Sequence, residues 1–164
     1  MDKSSARLNG HSVFCIVMIA LIILTLCFIF SNSMKIPEES MEDSNKLVEL
    51  LRGLIDPNGK LTDDELSFII RKTAHFVEYA ALGFECILLA WAVDKSIRLH
   101  GVIYSAGGCL LAADIDEYIQ SFNGRGSMVA DVLLDFTGAL TGIAAGCIVA
   151  VIAMNTIAKR QAKK

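Results

Sequence analysis

Apolar positions in this chain fall into blocks. From Val13 to Phe30 every residue except Thr25 is apolar, a run long enough to cross a hydrocarbon core of about 30 Å at about 1.5 Å per residue. Blocks over 73–93, 100–119 and 129–151 read the same way with polar interruptions. The pattern predicts an all-α, polytopic membrane protein, one domain over 1–164 with four transmembrane helices. Lys3 and Arg7 before the first block, with Ser31 and Ser33 after it, would also suit a cleaved signal. Its apolar core exceeds the roughly 7–15 residues a signal needs, so a spanning helix is expected.

The segment 31–72 is an extracytoplasmic loop with structure of its own. Within Glu39 to Ile55, the residues Met41, Leu47, Leu50, Leu51 and Leu54 return mostly to one helical face with acidic residues between them, which predicts an amphipathic helix. Asp56-Pro57-Asn58-Gly59 is a turn sequence that ends it. Thr62-Asp63-Asp64-Glu65 has the Thr-x-x-Glu form of a capping box, so the next helix should begin near Asp63.

Composition agrees: 54% of residues are hydrophobic and 20% charged, too apolar for a soluble domain of this length. It excludes a disordered acidic chain, a disulfide scaffold and a nucleic-acid binder. The five cysteines, Cys15, Cys27, Cys86, Cys109 and Cys147, lie inside predicted spans without a Cys-x-x-Cys and read as small apolar residues.

Lysine and arginine set the expected orientation. With the N-terminus cytoplasmic, Lys3, Arg7, Lys95, Arg98, Lys159, Arg160, Lys163 and Lys164 lie inside, in short segments close to membrane ends. Lys35, Lys46, Arg52, Lys60, Arg71, Lys72 and Arg125 lie outside, mostly diluted in one long loop. Both termini are therefore expected in the cytoplasm, with the protein in the plasma membrane.

Despite this basic framing the net charge is −3. The difference comes from carboxylates within the predicted spans: Glu78 and Glu85 in the second, Asp114, Asp116 and Glu117 in the third, Asp131 and Asp135 in the fourth. Each costs about 2.5–3.5 kcal/mol if left ionised toward lipid at a helix centre, so they should face one another, water or a partner. Arg71, His75, Glu78 and Leu82 share a stripe on the second span, and Asp131, Asp135, Gly138, Gly142 and Gly146 share a face on the fourth. The doubled Gly-x-x-x-Gly suits close helix packing, against another span or a second copy of the chain. Asp114, Asp116, Glu117 and Gln120 cover a wider arc of the third span. His75, Glu78, Asp114, Glu117, Gln120, Asp131 and Asp135 should lie within about two turns of the outer boundary, with Arg125 closing over the top. The expectation is one polar pocket, open outward, with more carboxylates than basic partners.

Two segments carry a family resemblance. Arg71-Lys72-Thr73-Ala74-His75-Phe76-Val77-Glu78-Tyr79, followed by Leu82-Gly83, resembles the Lys-x-x-His-Phe-x-x-Tyr pattern of VanZ-like membrane proteins. Asp116-Glu117-Tyr118-Ile119-Gln120, then Gly124-Arg125, Asp131, Asp135, Gly138 and Gly142, resembles their Asp-Glu-x-x-Gln…Gly-Arg…Asp…Gly pattern. Phe30-Ser31-Asn32-Ser33, with Ser40 and Ser44, resembles the serine-rich segment after their first span. The stretch between Gln120 and Arg125 is one residue shorter than the common form and lacks its proline. The resemblance implies an integral membrane protein of Gram-positive type bacteria, in a family named for an accessory protein of resistance to the glycopeptide teicoplanin. It implies no mechanism.

Three functions fit the residues. The first is a site that binds or modifies an amphiphilic envelope molecule, such as a lipid-linked cell-wall precursor, a membrane lipid or a lipoglycopeptide. Arg71, Lys72 and Arg125 would hold its anionic groups, while Asp116, Gln120 and Asp131 meet an amine or hydroxyls. The second is an intramembrane enzyme using His75, Glu78, Glu117 or Asp135 as acid and base. The ligand types also permit a divalent metal, although no helix carries His-Glu-x-x-His, and no other cofactor is implied. The third is a structural bundle that pairs with itself through Gly138, Gly142 and Gly146. Four spans leave little room for an ion pathway.

Overall fold

The computed structural model describes residues 9–123 and 128–162. The described chain is entirely helical: α1 (Gly10–Ser33), α2 (Pro37–Ile55), α3 (Asp63–Asp94), α4 (Leu99–Phe122) and α5 (Val129–Gln161). Three of these, α1, α3 and α5, are long and apolar enough to cross a membrane. The fourth, α4, equals α1 in length at 24 residues, but Asp114, Asp116 and Glu117 interrupt it.

Helix α1 runs about one turn beyond the expected 13–30 block, from an Asn9 cap whose side chain accepts from the Ser12 N–H at 2.8 Å. Most of its surface, including Ile16, Ile23, Leu24 and Phe28, is exposed, as a helix facing lipid would be. It buries Met18, Ile29 and Ser33, and Ile29 enters a core with Tyr79, Leu82, Cys109, Ala112, Ala113 and Ala139. At the opposite end of the bundle, a His11 ring nitrogen lies 2.7 Å from the Ala92 carbonyl oxygen.

The capping box forms as expected. Thr62 accepts from the Glu65 N–H at 3.3 Å and its own N–H donates to the Glu65 carboxylate at 2.9 Å. Before it, the Asp56 carboxylate closes the turn after α2 by accepting from Lys60 N at 3.0 Å and Leu61 N at 2.8 Å. Gly59 takes the left-handed conformation at φ 61° that this turn requires.

Helix α2 forms, but the face expected to be apolar is not the one it buries. Ser44 and Val48 are turned inward, and Val48 packs with Leu66 and Ile70 of α3. Met41, Leu47, Leu50 and Leu54 stay exposed.

The tightest pairing joins α3 to α5. A Cβ added at Gly83 would stand 2.2 Å from the Ala139 carbonyl oxygen. At Gly138 it would stand 2.4 Å from Phe76 O, and at Gly142 1.8 Å from Ala80 O. Two backbones meet where only hydrogens fit between them. The glycine face of α5 is thus filled by α3 of the same chain. The same contact sets Asp135, two turns before Gly142, against α3.

Candidate functional site

Four helices bring polar side chains to one end of the bundle. Three short repeats do most of the positioning. Lys72, His75 and Tyr79 share one side of α3, Asp116 and Gln120 lie one turn apart on α4, and Asp131 and Asp135 lie one turn apart on α5. Ser33, the last residue of α1, arrives among them.

At the centre, His75 stands between two buried aspartates. Its Nδ1 is 3.9 Å from Asp116 Oδ2 and 3.8 Å from Asp135 Oδ1, beyond hydrogen-bond contact. Asp116 is fully buried and Asp135 nearly so. Asp116 is held on both oxygens: Ser33 Oγ donates to Oδ1 and Gln120 Nε2 donates to Oδ2 at 2.9 Å. The Asn123 side-chain amide donates to the Ser33 carbonyl at 3.1 Å, tying the end of α1 to the end of α4.

A cavity of about 340 Å³ opens beside this centre, lined by Arg71, Lys72, His75, Gln120, Asp131 and Asp135 together with the apolar Pro37, Phe68, Met128 and Leu134. Lys72 pairs with Asp131 across it. Arg71 makes no ion pair or hydrogen bond among the described residues. A second cavity of about 330 Å³ lies under α2, with Asn32, Lys35, Asp43, Ser44 and Glu78 in its lining. Arg71 and His75 line both and so form the wall between them. At the edge of the second, Lys35 bonds Asp43 at 2.8 Å and holds that carboxyl below its usual range.

The remaining expected site residues divide. Glu78 accepts from Asn32 Nδ2 of α1 at 3.4 Å. Glu85, further along the stripe, accepts from Thr25 at 3.1 Å. That part of the stripe faces α1. Glu117 is buried but spends one oxygen on the Met128 N–H at 2.7 Å, anchoring the start of α5. Its other oxygen has no partner among the described residues. Asp114 is exposed on the outer side of α4, so it does not join the pocket as expected. Arg125 lies outside the described residues.

Sequence reasoning gave no role to Ser33, Asn32 or Tyr79, although two of them sit in the Phe30–Ser33 stretch that carries a resemblance. The Tyr79 hydroxyl is fully buried without a partner among the described residues.

Residues 14–151 match the VanZ/LLP1 family. The chain belongs to that family. No curated protein and no solved structure matches it. The VanZ/LLP1 match takes in every residue of the centre, from Ser33 to Asp135, and both resembling segments contribute to it. In this VanZ/LLP1 chain the first segment supplies Lys72, His75 and Tyr79, and the second supplies Asp116, Gln120, Asp131 and Asp135. An imidazole held between carboxylates can carry a proton or share a cation with them, and the basic wall beside it can take an anion.

Proposed function

We propose that this VanZ/LLP1 protein is a multi-pass protein of the plasma membrane whose polar cavity opens outward and binds or modifies an amphiphilic cell-envelope molecule. In this reading α4 crosses the bilayer beside α1, α3 and α5, with Asp116 and Glu117 sheltered by its neighbours, and both termini are cytoplasmic. The basic residues in the short 95–98 connection and in the tails support that orientation. Helix α2 then lies at the outer surface, with Leu47, Leu50 and Leu54 toward the lipid headgroup region.

The observation that carries the proposal is the lining of the first cavity. Arg71, unpaired among the described residues, and Lys72 stand at its wall beside Phe68, Met128 and Leu134, so an anionic headgroup and an apolar chain are accommodated together. A structural bundle without a ligand leaves Arg71 and both cavities unexplained. Contribution to glycopeptide resistance follows if the bound molecule is teicoplanin itself or a precursor the drug recognises. The enzymatic reading keeps one specific support, the placement of His75 between Asp116 and Asp135 at a cavity wall, which suits acid–base work.

The test compares a Gram-positive strain lacking the protein with the same strain carrying the wild-type chain, Arg71→Gln or His75→Ala at equal membrane level. The wild-type chain should raise the inhibitory teicoplanin concentration several-fold, and both variants should lose most of that gain. A changed lipid or precursor in the membrane extract marks modification, and an unchanged extract marks binding alone. A wild-type chain that alters neither susceptibility nor extract, or variants equal to wild type in both, refutes the proposal.

A further inference from the structure

We infer that His75, Asp116 and Asp135 form a divalent-cation site at the floor of the first cavity, suited to Mn2+ or Zn2+. One nitrogen and two carboxylate oxygens from three different helices lie within 4.8 Å of one another. Ligands about 2.0–2.2 Å from a zinc ion stand up to roughly 4.4 Å apart, so the separations of 3.8 and 3.9 Å from His75 Nδ1 already fall in range. One imidazole with two carboxylates suits Zn2+ or Mn2+, offering no sulfur ligand for Cu+ and too few oxygens for Ca2+. His75 and Asp135 line the cavity, which leaves the remaining coordination positions open to water or a ligand.

Two further features point to a ligand here. Asp116 is oriented by Ser33 and Gln120, the outer support that ligating carboxylates receive. Independently, the Tyr79 hydroxyl has no partner among the described residues although the residue is 0% exposed, and it lies within electrostatic reach of Asp116 and Asp135. The second oxygen of Glu117, at 4% exposure, is also unpartnered there. A buried hydroxyl normally finds a partner, and an ion with its bound water supplies one. The inference shares its location with the proposed function but does not depend on the identity of the envelope molecule.

The experiment uses the full chain without an affinity tag, purified in detergent, stripped with a chelator and reloaded with Mn2+ or Zn2+ alone. Elemental analysis after desalting should find one ion per chain for at least one of the two metals. Titration calorimetry should find that affinity at least 10-fold weaker in Asp135→Asn and Asp116→Asn. Gln120→Ala should weaken it about 10–100-fold through the outer support, and Asp114→Asn, on the exposed side of α4, should leave it unchanged. Circular dichroism and a single elution peak establish that each variant is folded. If either aspartate variant fails that check, His75→Gln at a half-buried position supplies the comparison. Wild-type protein that retains neither metal, or folded site variants that bind as tightly as wild type, overturns the inference, and the amphiphile assay stands whichever way this one falls.

Discussion

Replacing Gly142 with alanine tests the fold and the site together. The added Cβ would stand 1.8 Å from the Ala80 carbonyl oxygen and 2.9 Å from Phe84 N. Carbon and oxygen settle at about 3.3–3.6 Å even in the closest weak hydrogen bonds, so α3 and α5 must part by roughly 1.5 Å. Overpacking costs about 1–3 kcal/mol where side chains can yield. Here the obstacle is helix backbone, and the upper end, about 3 kcal/mol, is expected. Gly138→Ala meets Phe76 O at 2.4 Å and should behave alike. Gly146→Ala meets first the Ile87 Cγ2 methyl at 2.3 Å, which can rotate away, so its cost should be smaller. At Gly108 nothing lies within 4 Å, and alanine there should be neutral or stabilising by up to about 1 kcal/mol. The assay is reversible unfolding in mixed micelles, followed by helical circular dichroism. Since Asp135 lies two turns from Gly142 on the same helix, opening the pair also draws it from His75, and Mn2+ or Zn2+ affinity should fall in Gly142→Ala but not in Gly108→Ala. Equal unfolding midpoints for wild type, Gly142→Ala and Gly108→Ala would refute the reasoning.

Lys72 and Asp131 are each about one-fifth exposed in their side chains, and a double-mutant cycle with Lys72→Met and Asp131→Asn should give a coupling of about 1 kcal/mol in the same unfolding assay; no coupling would mean that the pair only lines the cavity. Asp56 is held below its ordinary value of 3.8 by the Leu61 and Lys60 backbone N–H groups, so its stabilisation is complete above that value and is lost as pH falls through the lower folded one. Between about pH 5 and 2 the wild-type chain should lose stability more steeply than Asp56→Ala, and parallel curves of unfolding midpoint against pH would contradict the assignment.

What could be read from the sequence was local. The capping box at Thr62, the turn at Asp56–Gly59 and the approximate extents of α1, α3 and α5 follow from signals within a few residues of each other. So do the one-turn spacings that put Asp131 with Asp135 and His75 on the Arg71 stripe. Relations between helices were less legible, for physical reasons that differ by residue. Gly138, Gly142 and Gly146 announce a close approach but do not name the partner. The complementary sign was on α3, where Gly83 and Ala80 leave room for α5, so the face closes inside the chain. The stripe on α3 is nearly straight, yet its neighbours change along it: α5 approaches at His75 and α1 at Glu78 and Glu85, which splits residues that share a face. Asp114 and Asp116 lie two positions apart, about 200° around a helix of 3.6 residues per turn, and only one could face the centre. Choosing Asp116 required knowing where Ser33 falls, which depends on α1 and α4 ending at the same level. That dependence argues for a built site. A buried carboxylate gripped on both oxygens by residues from two helices, one of them 83 positions away, comes at the expense of apolar packing. A bundle needing only stability would have put an aliphatic side chain there.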